Sequence, residues 1–287
     1  DKPIPRLQFK AIQSRLKDEK YCHFRKGTQI MRRCLMLALV LLWGAIFSAD
    51  AQQDALNLPT ELLVLRNDGG LERYGIGAAG VAQVTLPDAD VVDFGLAPDG
   101  VTLAYRTQSA LKLHNLLSGL TREVEGASAS FPPYRGRGQT VVWSPDGRTL
   151  AYTTEYGLRF YFPDANLFAD ITTTPALHLL WSDDSTYLAV ESENNIWWVY
   201  RRDGGALLLH AAIPDSLGAA WVDTTVLMFA PSSGGLYLMD VSAANAQAQI
   251  GSTATQYKYP ALRADRSVVL LSKPLTDSSA PVTAGVL

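Results

Sequence analysis

An all-β fold, a β-propeller of four-stranded blades, follows from three features of the sequence. Five related segments recur about every 40 residues, no repeat carries a helical pattern, and each is punctuated by a tight turn. The segments are DFGLAPDGVTLAYRTQSALKLHNLLSG from Asp93, VVWSPDGRTLAYTTEYGLRFYFPDAN from Val141, LLWSDDSTYLAVESENNIWWVYRRDGG from Leu179, AAWVDTTVLMFAPSSGGLYLMDVSAAN from Ala219 and the shorter PALRADRSVVLLSKP from Pro260. Their aligned positions Leu96, Trp143, Trp181, Trp221 and Leu262 are 47, 38, 40 and 41 residues apart.

The chain opens differently from its repeats. Residues 1–30 are basic and poorly patterned, and read as upstream sequence ahead of a start at Met31. Arg32 and Arg33 then precede an unbroken apolar run of 14 residues, Cys34–Phe47, followed by the small pair Ala49 and Ala51. That pattern predicts a secretory signal peptide over 31–51, cleaved between Ala51 and Gln52, and a secreted, periplasmic or cell-surface product. At 1.5 Å per residue such a run spans about 21 Å, short of a bilayer core of ~30 Å, so no stable membrane span is expected after cleavage. Cys34 stands at the start of the apolar run, whereas a lipid-bearing cysteine would follow it. Both cysteines, Cys22 and Cys34, precede the cleavage site, so neither disulfides nor thiolate chemistry is expected in the processed chain.

Residues 52–287 form the propeller domain. They carry 15 Lys/Arg against 24 Asp/Glu, a net charge of −9, which argues against nucleic acid as a partner. Each repeat reads physically as one blade. An apolar run ends at Trp or Leu, and a turn of the Ser144-Pro145-Asp146-Gly147 type follows, with Pro presetting φ, Asp bonding back to the backbone and Gly taking positive φ. A short second strand such as Thr149–Tyr152 comes next, then an aromatic third strand such as Leu158–Phe162 or Asn195–Tyr200, a second turn and a weaker fourth strand. Bulky side chains alternate on both sides, as a sheet packed between two others requires, and one blade cannot bury both faces unaided.

The stretch Trp143-Ser144-Pro145-Asp146-Gly147-Arg148-Thr149-Leu150-Ala151-Tyr152 resembles the WD40-like propeller repeat of the TolB type. The resemblance runs over roughly residues 60–274. It is strong at Leu96–Tyr105 and Trp143–Tyr152, fair at Trp181–Val190 and degenerate at Trp221–Met228 and Leu262–Leu270. No Trp-Asp dipeptide closes the third strand, so the eukaryotic-type scaffold repeat is a poorer match. TolB itself carries a separate α/β domain before its propeller, for which the processed chain is expected to have no room, so the resemblance is to the repeat class and not to TolB. About five blades' worth of sequence is present if the strands at 61–86 pair with the half-blade at 260–274. The strand-like, uncapped Val282–Leu287 instead points to a truncated ring of six to eight blades.

Loops joining strand 4 to the next strand 1, and strands 2 to 3, are expected on one face of a propeller. The outsized connection Glu125–Gln139 brings Phe131, Tyr134, Arg135 and Arg137 beside two prolines, side chains suited to partner recognition on a semi-rigid loop. Gln108, Glu155 and Glu193 occupy matching 2–3 loops. Glu155 and Glu193 could act as paired carboxylates in glycoside hydrolysis or cation binding, but solvated hairpin residues are the simpler reading. Asp99, Asp146 and Asp184 recur for turn geometry. His114, His178 and His210 lack metal-ligand spacing and read as strand residues, so no metal site and no cofactor is expected. No G-x-S-x-G elbow, Walker loop or dinucleotide fingerprint occurs. The leading expectation is therefore a non-catalytic exported propeller that binds a protein or cell-envelope polymer. An alternative makes the chain the propeller portion of a prolyl oligopeptidase-like serine peptidase, whose G-x-S-x-G would lie beyond Leu287. A third makes it a glycosidase or lyase using Glu155 and Glu193.

Overall fold

The computed structural model describes residues 61–75, 81–126, 139–203, 206–243, 245–263 and 265–286. Their regular structure is β-strand throughout, apart from a single 3-10 turn at Glu193–Asn195. The described residues divide into two compact units, 65–71 with those from 83 onward and 61–64 with those between 72 and 82. In the smaller one, Arg73 Nη2 donates to both carboxylate oxygens of Glu61 at 2.7 and 2.8 Å.

Strands pair antiparallel in chain order. β1 (Leu62–Leu65), β2 (Leu71–Tyr74) and β3 (Val81–Val84) form a three-stranded sheet. Four-stranded sheets follow: β4 (Asp93–Leu96) to β7 (Thr121–Glu125) through β5 (Thr102–Arg106) and β6 (Leu111–Asn115), then β8 (Val141–Trp143) to β11 (Leu167–Thr172) through β9 (Leu150–Thr154) and β10 (Gly157–Phe162). The next are β12 (His178–Trp181), β13 (Tyr187–Ser192), β14 (Ile196–Asp203) and β15 (Ala206–Ile213), and β16 (Ser216–Trp221), β17 (Val226–Pro231), β18 (Tyr237–Asp240) and β19 (Ala246–Gln249). β20 (Thr255–Leu262), β21 (Val268–Pro274) and β22 (Thr283–Val286) complete the series. The expected pairing of residues 61–86 with 260–274 is thus corrected. Each segment builds its own three-stranded sheet, because a local hairpin closes a far shorter loop than a pairing across two hundred residues.

Register makes the repeat exact in space. Leu96, Trp143, Trp181, Trp221 and Leu262 each end a first strand and pair with Leu103, Leu150, Leu188, Leu227 and Val268. Two of the indoles reach across to the preceding sheet. Trp143 Nε1 donates to Gly95 O at 3.2 Å and Trp221 Nε1 to Leu180 O at 3.0 Å, the residue before the equivalent position in each case. Gly95 has room for no more than a hydrogen, since a Cβ there would sit 2.6 Å from Val141 O of the neighbouring first strand.

The turns obey the sequence logic. Gly147 N donates to Ser144 O at 2.8 Å, Arg148 N to Asp146 Oδ1 at 3.1 Å, and Gly147 has φ 73°. The same positive φ recurs at Gly100, Ser185 and Arg266, so the turn geometry persists where glycine does not. Asp146 also ion-pairs with Arg202 of β14, whose Nη1 donates to Thr149 Oγ1 at 3.3 Å. Burial alone would raise the Asp146 carboxyl, but Arg202, Ser144 and the Arg148 amide bring it down to about 2.

Apolar clusters fill the space between successive sheets. Ala104, Leu111 and Leu113 meet Val141, Leu150, Tyr152 and Tyr161. Ala151, Leu158 and Phe160 on the other face meet Leu179, Trp181, Leu188 and Val190. Tyr187, Ala189, Trp197 and Val199 then pack on Ala219, Leu227 and Phe229, and Ala220 and Met228 on Tyr257 and Leu270. A single strand such as Leu150-Ala151-Tyr152 feeds two cores, so its sheet and the two four-stranded sheets that follow are middle layers. Of the adjacent tryptophans, Trp197 is fully buried and Trp198 partly so.

Candidate functional site

One strand position carries the site. Tyr105 and Tyr152 are equivalent by register, pairing with Lys112 of β6 and Arg159 of β10. Both rings are buried, and a buried phenol needs a partner for its hydroxyl. Tyr105 finds Asp88, donating to Oδ2 at 2.6 Å, while Lys112 Nζ holds Oδ1 at 2.7 Å. Tyr152 donates to Glu125 Oε2, and Arg159 Nη1 donates to Oε1 of the same carboxylate. Two successive blade boundaries therefore hold a tyrosine, a carboxylate from the preceding element and a cation from the third strand. Burial and the carboxylate beside each phenol push both tyrosines up.

At the second boundary this triad opens into a cleft of about 710 Å³ lined by Glu125, Thr154, Tyr156, Arg159, Asp170, Ile171 and Thr172–Thr174. Arg159 spans it. Its Nε donates to Asp170 Oδ1 at 2.6 Å and its Nη2 to Oδ2 at 3.3 Å, so the guanidinium is clamped between two carboxylates. The Asp170 bond above all raises the Arg159 pKa, and Arg159 in turn lowers Asp170. The cation is stacked from behind, its Cζ 5.6 Å from the Phe168 ring.

Deeper in, Arg106 is fully buried. Its Nη1 donates to Thr140 Oγ1 at 3.0 Å, and the Thr140 amide and hydroxyl donate to Asp93 Oδ2 at 2.7 and 2.6 Å. Burial lowers Arg106 to about 10, opposed by Asp93, Tyr152 and Glu125.

Local backbone shapes the rim. Thr154 Oγ1 accepts from Tyr156 N at 3.1 Å and donates to Gly157 O at 3.1 Å, tightening the hairpin between β9 and β10. Gly157 has φ 133°, and a Cβ there would stand 1.8 Å from Thr172 O. Gly157 opens β10 and Thr172 ends β11, so only glycine fits where these two strands meet at this end of the sheet.

Gln108, Glu155 and Glu193 are exposed in successive 2–3 connections, Glu193 within the 3-10 turn. Glu155 is next to the cleft residue Tyr156, whereas Gln108 and Glu193 line no part of the cleft. Phe131, Tyr134, Arg135 and Arg137 lie outside the described residues, as does the segment 31–51. His114, His178 and His210 stand in β6, β12 and β15. Among the described residues no group of three His, Cys, Asp or Glu could hold a metal ion, and no helix is long and apolar enough to cross a membrane. Sequence reasoning missed Tyr152, Arg159 and Asp170 as site residues, and met Glu125 only as the start of a long connection. The signal available was the repeated buried tyrosine of Leu-Ala-Tyr, which demands a polar partner nearby.

No family model and no curated protein matches the chain. Among solved structures, an oligogalacturonate lyase from Vibrio parahaemolyticus is similar at TM-score 0.60 and 10% identity, over 79% of this chain and 74% of that one. An oligogalacturonate lyase in complex with manganese gives TM-score 0.57 and 13% identity, over 79% and 73%. TolB from Acinetobacter baumannii gives TM-score 0.47 and 15% identity over 78% of this chain, which spans 65% of TolB's length. At these identities the likeness concerns fold. With the register and turn repeat described above, the chain is an all-β protein built of propeller-like, four-stranded antiparallel blades.

Proposed function

We propose that this chain is an exported, non-catalytic propeller that recognises a protein or cell-envelope polymer through the face bearing its 2–3 loops and fourth-to-first-strand connections. The cleft around Arg159 carries this reading. Its one lining cation is fixed by two carboxylates, while Tyr156 and the Thr172–Thr174 run present an exposed ring, hydroxyls and backbone to a bound chain. A rigid polar floor with an accessible aromatic ring is a binding arrangement, in which affinity comes from fit and a few placed hydrogen bonds. The signal-peptide pattern over 31–51 supports export. The lack of any nucleophile motif supports binding over turnover.

A photo-crosslinking residue placed at Thr173 tests the face. Adducts with an envelope protein or polymer are expected there and not from Asp183, in a turn at the opposite end of the strands. Equal yield from the two positions overturns the assignment. Because two similar structures are named oligogalacturonate lyases, oligogalacturonate belongs in a parallel turnover assay. Cleavage that disappears in the Glu155→Gln, Glu193→Gln double variant would replace binding by catalysis.

A further inference from the structure

The charge and exposure of the same cleft narrow its partner, an inference that rests on the cleft being the recognition site. Its lining holds Glu125 and Asp170 against Arg159, a net charge of −1, with Glu155 adjoining Tyr156 at the rim. The three groups are not equally presented. The Arg159 and Glu125 side chains are 27% and 8% exposed, whereas Asp170 is 76% exposed. Solvent at the mouth therefore meets a carboxylate. Arg159 spends three of the five N–H donors of a guanidinium on its two neighbours, while Asp170 keeps acceptor capacity beyond the two bonds it receives. Tyr156, 68% exposed with its amide fixed by Thr154, lines the same cleft. An exposed aromatic ring and an exposed carboxylate in one cleft can attract an organic cation, by ring quadrupole and by counter-ion together. The net −9 of residues 52–287 favours the same encounter at longer range.

We infer that the cleft takes the Lys or Arg side chain of an extended basic peptide segment on a protein partner, with Tyr156 against its cationic end and Asp170 as its counter-ion. A neutral glycan could donate hydroxyls to Asp170 but would gain no ion pair from it, and an acidic polymer would be repelled by it.

The test is fluorescence anisotropy of the whole chain with three labelled probes: an octapeptide alternating Lys and Gly, its Glu–Gly counterpart, and a neutral cello-oligosaccharide. Only the Lys probe is expected to bind, with affinity falling severalfold as salt rises from about 0.05 to 0.3 M. Asp170→Asn and Tyr156→Ala each weaken it roughly tenfold, while Tyr156→Phe, which keeps the ring, does not. Both residues are exposed, so unchanged thermal unfolding accompanies these losses. A Lys probe that fails to bind, or binds equally well to Tyr156→Ala, overturns the inference. Tyr156-dependent binding of the neutral sugar with none of the Lys probe also overturns it, yet leaves the cleft as a recognition site. Absence of Thr173 adducts instead removes the recognition reading itself.

Discussion

The boundary between the second and third four-stranded sheets sits one repeat beyond the boundary that holds the cleft, and it solves the same packing problem with different chemistry. The position of Tyr105 and Tyr152 is taken by Val190, and that of Lys112 and Arg159 by Trp198, which pairs with it. Ile171 and Trp198 both pack against the apolar cluster that contains Val190. Backbone register is common to all three, so the repeat fixes where side chains meet and leaves open what they are. An apolar set packs densely and leaves no acceptor behind. A polar set needs a carboxylate delivered from the neighbouring element, and the last atoms of that network face water. That is where the cleft lies.

The largest effect should come from closing the loop contact on the polar side. Gly157→Ala places a methyl group into Thr172 O and keeps φ at 133°, so a loss of more than about 3 kcal/mol is expected in denaturant unfolding. A loss under 1 kcal/mol would mean the hairpin does not press on that segment. Glu125→Ala comes next. It strips Tyr152 and Arg159 of their common acceptor at once, for about 2–3 kcal/mol. Copying the apolar boundary through Glu125→Ile, Tyr152→Val and Arg159→Trp together should restore most of that stability, because Glu125 and Arg159 leave together and the buried Arg106 keeps Asp93. A triple variant less stable than Glu125→Ala would show that the two boundaries are not interchangeable.

The next boundary along, between the third and fourth four-stranded sheets, has a titratable weakness. His178 of β12 lies edge-on to Trp197 at 5.5 Å, and burial lowers its pKa to about 4, although Glu191 Oε2 stands 4.0 Å from Nδ1. The unfolded chain protonates this histidine near 6.5, so between about pH 6.5 and 4 it binds a proton that the folded state refuses. Stability should therefore fall as pH drops through that window, by about 1–2 kcal/mol once the 24% exposure of the imidazole is allowed for. His178→Gln should flatten the profile there. Asp146 behaves separately, since its Arg202-supported contribution persists until pH falls from about 4 towards 2.

How legible this was depends on range. Turn residues act through their own backbone, so Ser144–Gly147 announced itself, and the first-strand Trp and Leu positions followed from spacing. The site is a relation between elements: Glu125 and Arg159 are 34 residues apart, and nothing local to either marks the other. The end sheets stayed open between two readings, because a half-length repeat does not say whether it borrows strands or builds a sheet of its own. Glu155 and Glu193 stood out because they recur, yet recurrence at a solvent-facing loop position reflects blade geometry first.

The smallest prediction separates packing from hydrogen bonding at the repeated indole. Trp143 and Trp221 each donate Nε1 to a carbonyl of the preceding sheet, but Trp181, in the equivalent place, leaves its buried Nε1 without a hydrogen-bond partner. Arg202 lies over its ring instead, 5.7 Å from the centroid. Replacement by Phe removes some ring volume at all three sites, while only two variants also orphan a backbone acceptor. Trp143→Phe and Trp221→Phe should thus cost about 1 kcal/mol more than Trp181→Phe, where loss of an unsatisfied donor offsets part of the lost packing. Equal losses across the series would mean that the indole hydrogen bonds add nothing to cohesion between blades, and that shape alone selects tryptophan at this position.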